Sequence, residues 1–249
     1  MTEWTHLRYA EAAASEIDHM AGVVRGREGT VPVPSCPGWD LRALTEHTGS
    51  VHRWAAAIVR DAAPRRYDRE AMDYGFPEDF AEAAGWLEAG GVLLTEALKS
   101  RDPDTGMWSW AGERNARFWS RRQLHETVVH RADAELALGV TPRIDEDVAA
   151  DGVDEFFDVL PYARWQPRVA ELRSDGEAIA WRTGTGLAWL VRLTRTGFAH
   201  ERSEGPADVT VTVPTAGDLM LTLWNRREPD EVRGDDELLR FWRERAQIT

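Results

Sequence analysis

Leu124-His125-Glu126-Thr127-Val128-Val129-His130-Arg131-Ala132-Asp133-Ala134-Glu135-Leu136 is the stretch from which the rest of the chain is read. Leu124, Val128, Ala132 and Leu136 recur every fourth residue, which is the period of an apolar stripe along an α-helix, and Gly139 supplies a stop. Trp119, Val129 and Ala137 fall nearly opposite that stripe, on the side that also carries Glu126 and His130. A helix over about Arg114–Leu138 is therefore apolar on two sides, and Glu126 is not expected to face bulk water.

Working outward, three earlier segments have the same period. One runs from about Glu3 to Val24 and ends before a Pro/Gly-rich loop containing Gly26, Gly29, Pro32, Pro34 and Pro37. Asp40 is a good N-cap for the next, in which Leu44, Thr48, Val51, Ala55 and Ile58 repeat until Pro64. A third covers about Glu78–Ser100, weakened by Gly85, Gly90 and Gly91 at about 1 kcal/mol each if interior. Four such helices predict a bundle.

Beyond Asp145 another helix, with Val153, Phe156, Phe157 and Leu160, leads through Pro161 and Pro167 into a shorter period. Val169–Arg173, Ala178–Arg182, Leu187–Leu193 and Val209–Val213 read as antiparallel strands, and helices near Ala216–Trp224 and Asp235–Gln247 close the chain. The expected class is α+β, with a helical bundle over residues 1–145 and a small α+β domain with an antiparallel sheet over 146–249.

The 249 residues can bury a core without disulfide or metal staples, and a net charge of -13 repels phosphate backbones and anionic lipid. Nucleic-acid and membrane partners are not expected. Met1–Ala10 lacks the basic start and apolar run of a secretory signal, which points to the cytoplasm. Cys36 is the only cysteine, so multi-cysteine zinc sites are excluded and thiol chemistry needs an outside thiol. Cys36 itself reads as a loop cysteine without an assigned role.

Glu126 and His130 stand at i and i+4, about 40° apart around the helix, so both can reach one point. A buried carboxylate costs several kcal/mol unless paired or bound to a cation. The pair alone is a common spacing, equally readable as a Glu/His or Glu126/Arg122 pair on a solvated face. His47 adds to it, because it shares an apolar face with Val51, Trp54 and Ile58; such a histidine can be a satisfied core residue, or a third ligand from a facing helix. His/His/Glu suits zinc with an open fourth position, and nickel or iron(II) fit the same ligand types. His52 and His125 read as surface or supporting groups, and His6, His19 and His200 have no distinguishing spacing. Trp108, Trp110 and Trp119 are candidates for an aromatic pocket wall, although most of the 12 tryptophans should pack the core.

Val33-Pro34-Ser35-Cys36-Pro37-Gly38-Trp39-Asp40-Leu41-Arg42, with Leu44 and His47, resembles the entry to the second helix of the DinB-like mycothiol-dependent maleylpyruvate isomerases. Glu126–Asp133 resembles their second metal-binding stretch, and Asp218–Arg226 with Gly234-Asp235 resembles the end of their sterol-carrier-like C-terminal domain. The resemblance implies His47, Glu126 and His130 as zinc ligands, mycothiol (the low-molecular-weight thiol of actinobacteria) as thiol source, and Arg226 as a functional residue of the second domain. Asn225 stands where that family commonly has glycine. The implied reaction is addition of a metal-activated thiolate to the cis double bond of maleylpyruvate, rotation, and departure to give fumarylpyruvate, with Arg226 clamping a carboxylate. A mycothiol S-transferase would use the same ligands but keep the thiol on an electrophilic small molecule. A non-catalytic metal- or ligand-binding protein and a metal-free acidic scaffold are the readings outside enzymes. Oligomeric state is not legible.

Overall fold

Asp40 caps the second helix as its sequence predicts: its carboxylate accepts the Ala43 N–H at 2.8 Å, and α2 then runs Leu41–Arg60. The computed structural model describes residues 4–248, so the expected start of the first helix at Glu3 lies outside them. By its internal contacts the chain divides into two units, Met1–Arg143 and Ile144–Thr249.

The first unit holds four long helices. α1 (His6–Val24) is capped by Thr5 and α4 (Ala116–Ala137) by Asn115, each through a side-chain oxygen on a backbone N–H of the first turn. α3 begins later than its pattern predicts: Asp79 first caps a 3₁₀ turn, Phe80–Glu82, and the α-helix covers Ala83–Lys99. Gly90 and Gly91 inside α3 offset their helix cost through close packing, whereas Gly85 has open space around it. A Cβ at Gly91 would stand 2.8 Å from Ile17 Cγ2 of α1, and one at Gly90 would collide with the Arg53 guanidinium of α2. In α4, 17 of 22 residues are buried, so its polar side chains must find partners inside the protein. Arg131 pairs with Glu16 and Glu135, both at 2.5 Å, and Ser120 meets His6 Nδ1 at 2.9 Å.

The second unit opens with α5 (Glu146–Val159), capped by Asp145. A five-stranded sheet follows: β1 (Ala178–Thr183), β2 (Ala188–Thr194), β3 (Gly197–Glu201), β4 (Val209–Val213) and β5 (Glu231–Gly234), in the order β3-β2-β1-β4-β5. The sheet is mixed, unlike the expected antiparallel one, because β4 crosses over to lie parallel to β1 with Trp181 opposite Val211. The other three pairs are antiparallel. α6 (Ala216–Leu223) and α7 (Asp236–Arg245) complete the unit. Buried Ile179, Trp181, Trp189, Val191, Val209, Val211 and Val213 share one face of the sheet, and Trp242 of α7 meets Phe157 edge to ring and Trp181 at a tilt.

Two strand expectations differ from the structure. Val169–Arg173 reads as a strand but lies mostly in a 3₁₀ turn, Pro167–Glu171, where the fixed φ of Pro167 suits a helical first turn and its missing N–H costs nothing. β3 and β5 have no periodic apolar signal because they are short edge strands in which no residue is fully buried.

Candidate metal centre

His47 lies in the second turn of α2 and Glu126 and His130 lie on adjacent turns of α4. Their functional atoms converge: His47 Nε2 is 3.5 Å and His130 Nε2 3.3 Å from the same oxygen, Glu126 Oε1. The ligand atoms of all three lie within 4.8 Å of one another. A tetrahedral zinc with bonds of about 2.0–2.1 Å requires ligand atoms about 3.3 Å apart, so two edges of that polyhedron already have the right length. Glu126 Oε2 is turned away and accepts from Arg122 Nη2 at 2.8 Å, so the alternative Glu126/Arg122 pair coexists with the His/Glu/His convergence.

A further carboxylate sits behind His130. Asp133, whose side chain is fully buried, has its Oδ2 2.9 Å from His130 Nδ1 and accepts the Cys36 thiol at 3.4 Å. Cys36 reaches this point on the loop before α2, where Val33 N–H donates to Trp39 O, Cys36 N–H to Val33 O and Trp39 N–H to Cys36 O. The same loop lays the Trp39 ring 4.8 Å from the His47 ring, centroid to centroid, and 6.3 Å from that of His130. Cys36, His130 and Asp133 thus form a second group with converging donor atoms, sharing His130 through its other nitrogen.

The charges follow from these contacts. Burial would raise the Glu126 carboxyl, but the Arg122 charge and hydrogen bonds from His130 and His47 override it and hold the group well below the usual carboxylate range. Burial opposes charge on His130 as well, yet the bonds to Asp133, Cys36 and Glu126 raise it well above an ordinary imidazole. His47 is lowered, by burial foremost and against its bond to Glu126. Without a cation the centre therefore pairs a protonated His130 with an ionised Glu126 beside a neutral His47.

His52 and His125 are wholly buried rather than on the surface; His52 Nε2 meets Thr127 Oγ1 at 2.9 Å, and burial pushes its pKa down to about 3. Trp108 and Trp119 form an edge-to-ring cluster with Trp54, about 10 Å along the helices from His47 and Glu126. Trp110 packs on Phe118. It is Trp39 that lies against the two histidines. The sequence assigns Asp133 no role and reads Cys36 only as a loop cysteine; the signal for Asp133 is an acid at i+3 from His130, which burial distinguishes from a solvated pair.

In the second unit Arg226 follows the C-terminus of α6, where its N–H donates to Leu221 O and its Nη1 to Trp224 O. Asn225 takes the left-handed backbone at φ 57° that a glycine would occupy, and it bonds to the backbone and guanidinium of Arg243.

The family described as the mycothiol maleylpyruvate isomerase N-terminal domain matches residues 10–135, which include His47, Glu126 and His130. Two solved structures share the fold. One is a mycothiol-dependent maleylpyruvate isomerase, with TM-score 0.55 and 15% identity over 91% of this chain and 90% of that one. The other is a histidine-to-alanine variant of such an isomerase, with TM-score 0.58 and 14% identity over 89% and 88%. A search of curated proteins gave no match. No helix among the described residues is long and apolar enough to cross a membrane.

Proposed function

The chain belongs to the mycothiol maleylpyruvate isomerase N-terminal domain family, and on that premise we propose that it is a metal-dependent enzyme that uses mycothiol to isomerise a small electrophilic molecule of the maleylpyruvate type. The observation that carries the proposal is the convergence of His47 Nε2, His130 Nε2 and Glu126 Oε1 at separations suited to one cation. These three atoms would hold a divalent metal, zinc by the type of donor, and leave a fourth position open. When bound, such a cation lowers the pKa of a thiol presented to it and supplies a thiolate at neutral pH, the nucleophile that cis–trans isomerisation by reversible addition requires.

The residues of the chain prepare that position. Arg122 keeps Glu126 ionised and draws Oε2 aside, which leaves Oε1 directed at the histidines. Burial keeps His47 neutral and so ready to donate its lone pair. Trp39 covers one side of both imidazoles and excludes water from it. To Arg226 we assign recognition of a substrate carboxylate: the αL turn at Asn225 and the bond to Trp224 O hold the half-buried guanidinium in place, as bidentate binding of a carboxylate requires. We read the second unit as sterol-carrier-like.

The test is a zinc-supplemented assay of maleylpyruvate with and without mycothiol, following both fumarylpyruvate and free thiol. Mycothiol-dependent turnover with the thiol recovered intact is the expected result. Consumption of one thiol per product would replace the isomerase with an S-transferase, and an absence of any thiol-dependent reaction would overturn the enzymatic reading.

A further inference from the structure

We infer that Asp133 is the positioning residue that aims His130 at the candidate metal centre, by holding the Nδ1–H of its ring, and that it keeps Cys36 as a hydrogen-bonded thiol outside the donor set. This rests on the metal reading of His47, Glu126 and His130 and deepens it.

An imidazole has two nitrogens, and the hydrogen bond made by one decides whether the other is free for a cation. His130 spans two carboxylates, with Nδ1 2.9 Å from Asp133 Oδ2 and Nε2 3.3 Å from Glu126 Oε1. With Asp133 ionised, Nδ1 carries the proton and Nε2 presents its lone pair beside His47 and Glu126. Because Asp133 follows His130 by three residues on α4, the helix itself fixes the spacing. Asp133 is fully buried, a position that costs several kcal/mol for an unpaired carboxylate, and the imidazole N–H and the Cys36 thiol are donors that offset that cost.

The second group, Cys36, His130 and Asp133, is the competing place for a cation, and it requires the opposite ring nitrogen. Its Nδ1-to-Oδ2 separation of 2.9 Å has hydrogen-bond length and is shorter than the tetrahedral edge of about 3.3 Å, so a metal would have to push the two groups apart. The 3.3 and 3.5 Å separations around Glu126 need no such movement. Cys36 lies beside the centre, yet its hydrogen goes to the carboxylate that orients a ligand. It is then a supporting donor and not a fourth ligand.

The full chain, zinc-loaded and labelled with nitrogen-15 at histidine, distinguishes the two arrangements through long-range proton–nitrogen correlations, with no substitution needed. The expected pattern for His130 is a protonated Nδ1 and a metal-shifted Nε2; a metal-shifted Nδ1 overturns the inference. In a chelator competition, Asp133→Asn, which keeps the size and one acceptor oxygen, should weaken zinc binding roughly 10- to 100-fold. Cys36→Ser, which keeps a donor to Asp133, should stay within about 3-fold of wild type, because the hydrogen bond that orients the carboxylate is retained. Equal affinity in Asp133→Asn and wild type would overturn the inference alone. A wild-type chain that takes up no zinc would instead overturn the metal reading beneath it, and the inference with it.

Discussion

Zinc binding at His47, Glu126 and His130 should appear as thermal stability. A ligand that binds only the folded state stabilises it by about 2.7 kcal/mol when its free concentration is 100 times its dissociation constant. The residues concerned all lie in the Met1–Arg143 unit. At about 2.1 cal/mol/K of unfolding entropy per residue over about 140 residues, that energy raises the midpoint by about 9 °C. Calorimetry of chelator-treated protein, with and without zinc, measures the shift. The control is the His47→Ala/His130→Ala double variant, compared by its own zinc-induced shift because removing His130 also changes metal-free stability. The expected shift in that variant is near zero. A shift equal to the wild type's would place the metal elsewhere, and no shift in the wild type would refute the donor set.

Metal-free protein should lose stability on both sides of a middle pH range. His130 is raised above 6.5, so its contribution is complete below that value and is lost as pH rises through the folded pKa; Glu126 is depressed below 4.5, so its contribution is present above that value and is lost as pH falls through the folded pKa. Urea midpoints across pH should show the alkaline loss in wild type and a flatter alkaline limb in His130→Gln; parallel curves would contradict the assignment. Gly49→Ala would put a Cβ 2.1 Å from Trp86 Cζ3 and should cost about 1–3 kcal/mol, whereas Gly22→Ala, exposed in α1 with nothing within 4 Å, should gain up to about 1 kcal/mol; the two urea midpoints should move in opposite directions. Asn225→Ala should destabilise by about 1–2 kcal/mol because alanine resists φ 57° and makes no bond to Arg243, while Asn225→Gly recovers the backbone part; a neutral alanine variant by calorimetry would refute the strain argument.

The helices were legible because each has a wide apolar face and a polar residue at its cap, as at Asp40 and Asn115. The α+β class was legible from the change of period after Asp145, whereas the parallel pairing of β1 and β4 was not, since a strand's own pattern does not state its neighbour's direction. At the site, His47, Glu126 and His130 could be named because helical spacing puts each on an inward face. Trp39, Cys36 and Asp133 acquire their places only when the loop from Val33 to Trp39 closes on α4, and loop closure has no period to read. His52 follows His47 by five residues and so leaves its face, yet it is wholly buried against α4, where its ring meets Thr127.

The centre also explains how α4 can be buried almost all round and still carry so many ionisable groups. Arg131 is neutralised by Glu16 and Glu135, and Arg122 by Glu126, each within hydrogen-bond distance. That leaves the Asp133 carboxylate, with His130 between it and Glu126, and a neutral imidazole cannot balance it. A proton on His130 supplies the missing positive charge and holds the ring in the position a ligand would need. A divalent cation meeting Nε2 would replace that proton with a larger charge at nearly the same point, without rearranging the helices. Metal uptake should then release protons and weaken as pH falls. The same residues that satisfy a buried helix in the metal-free chain therefore arrange the donor atoms beforehand, and stability and site formation become one requirement on α4.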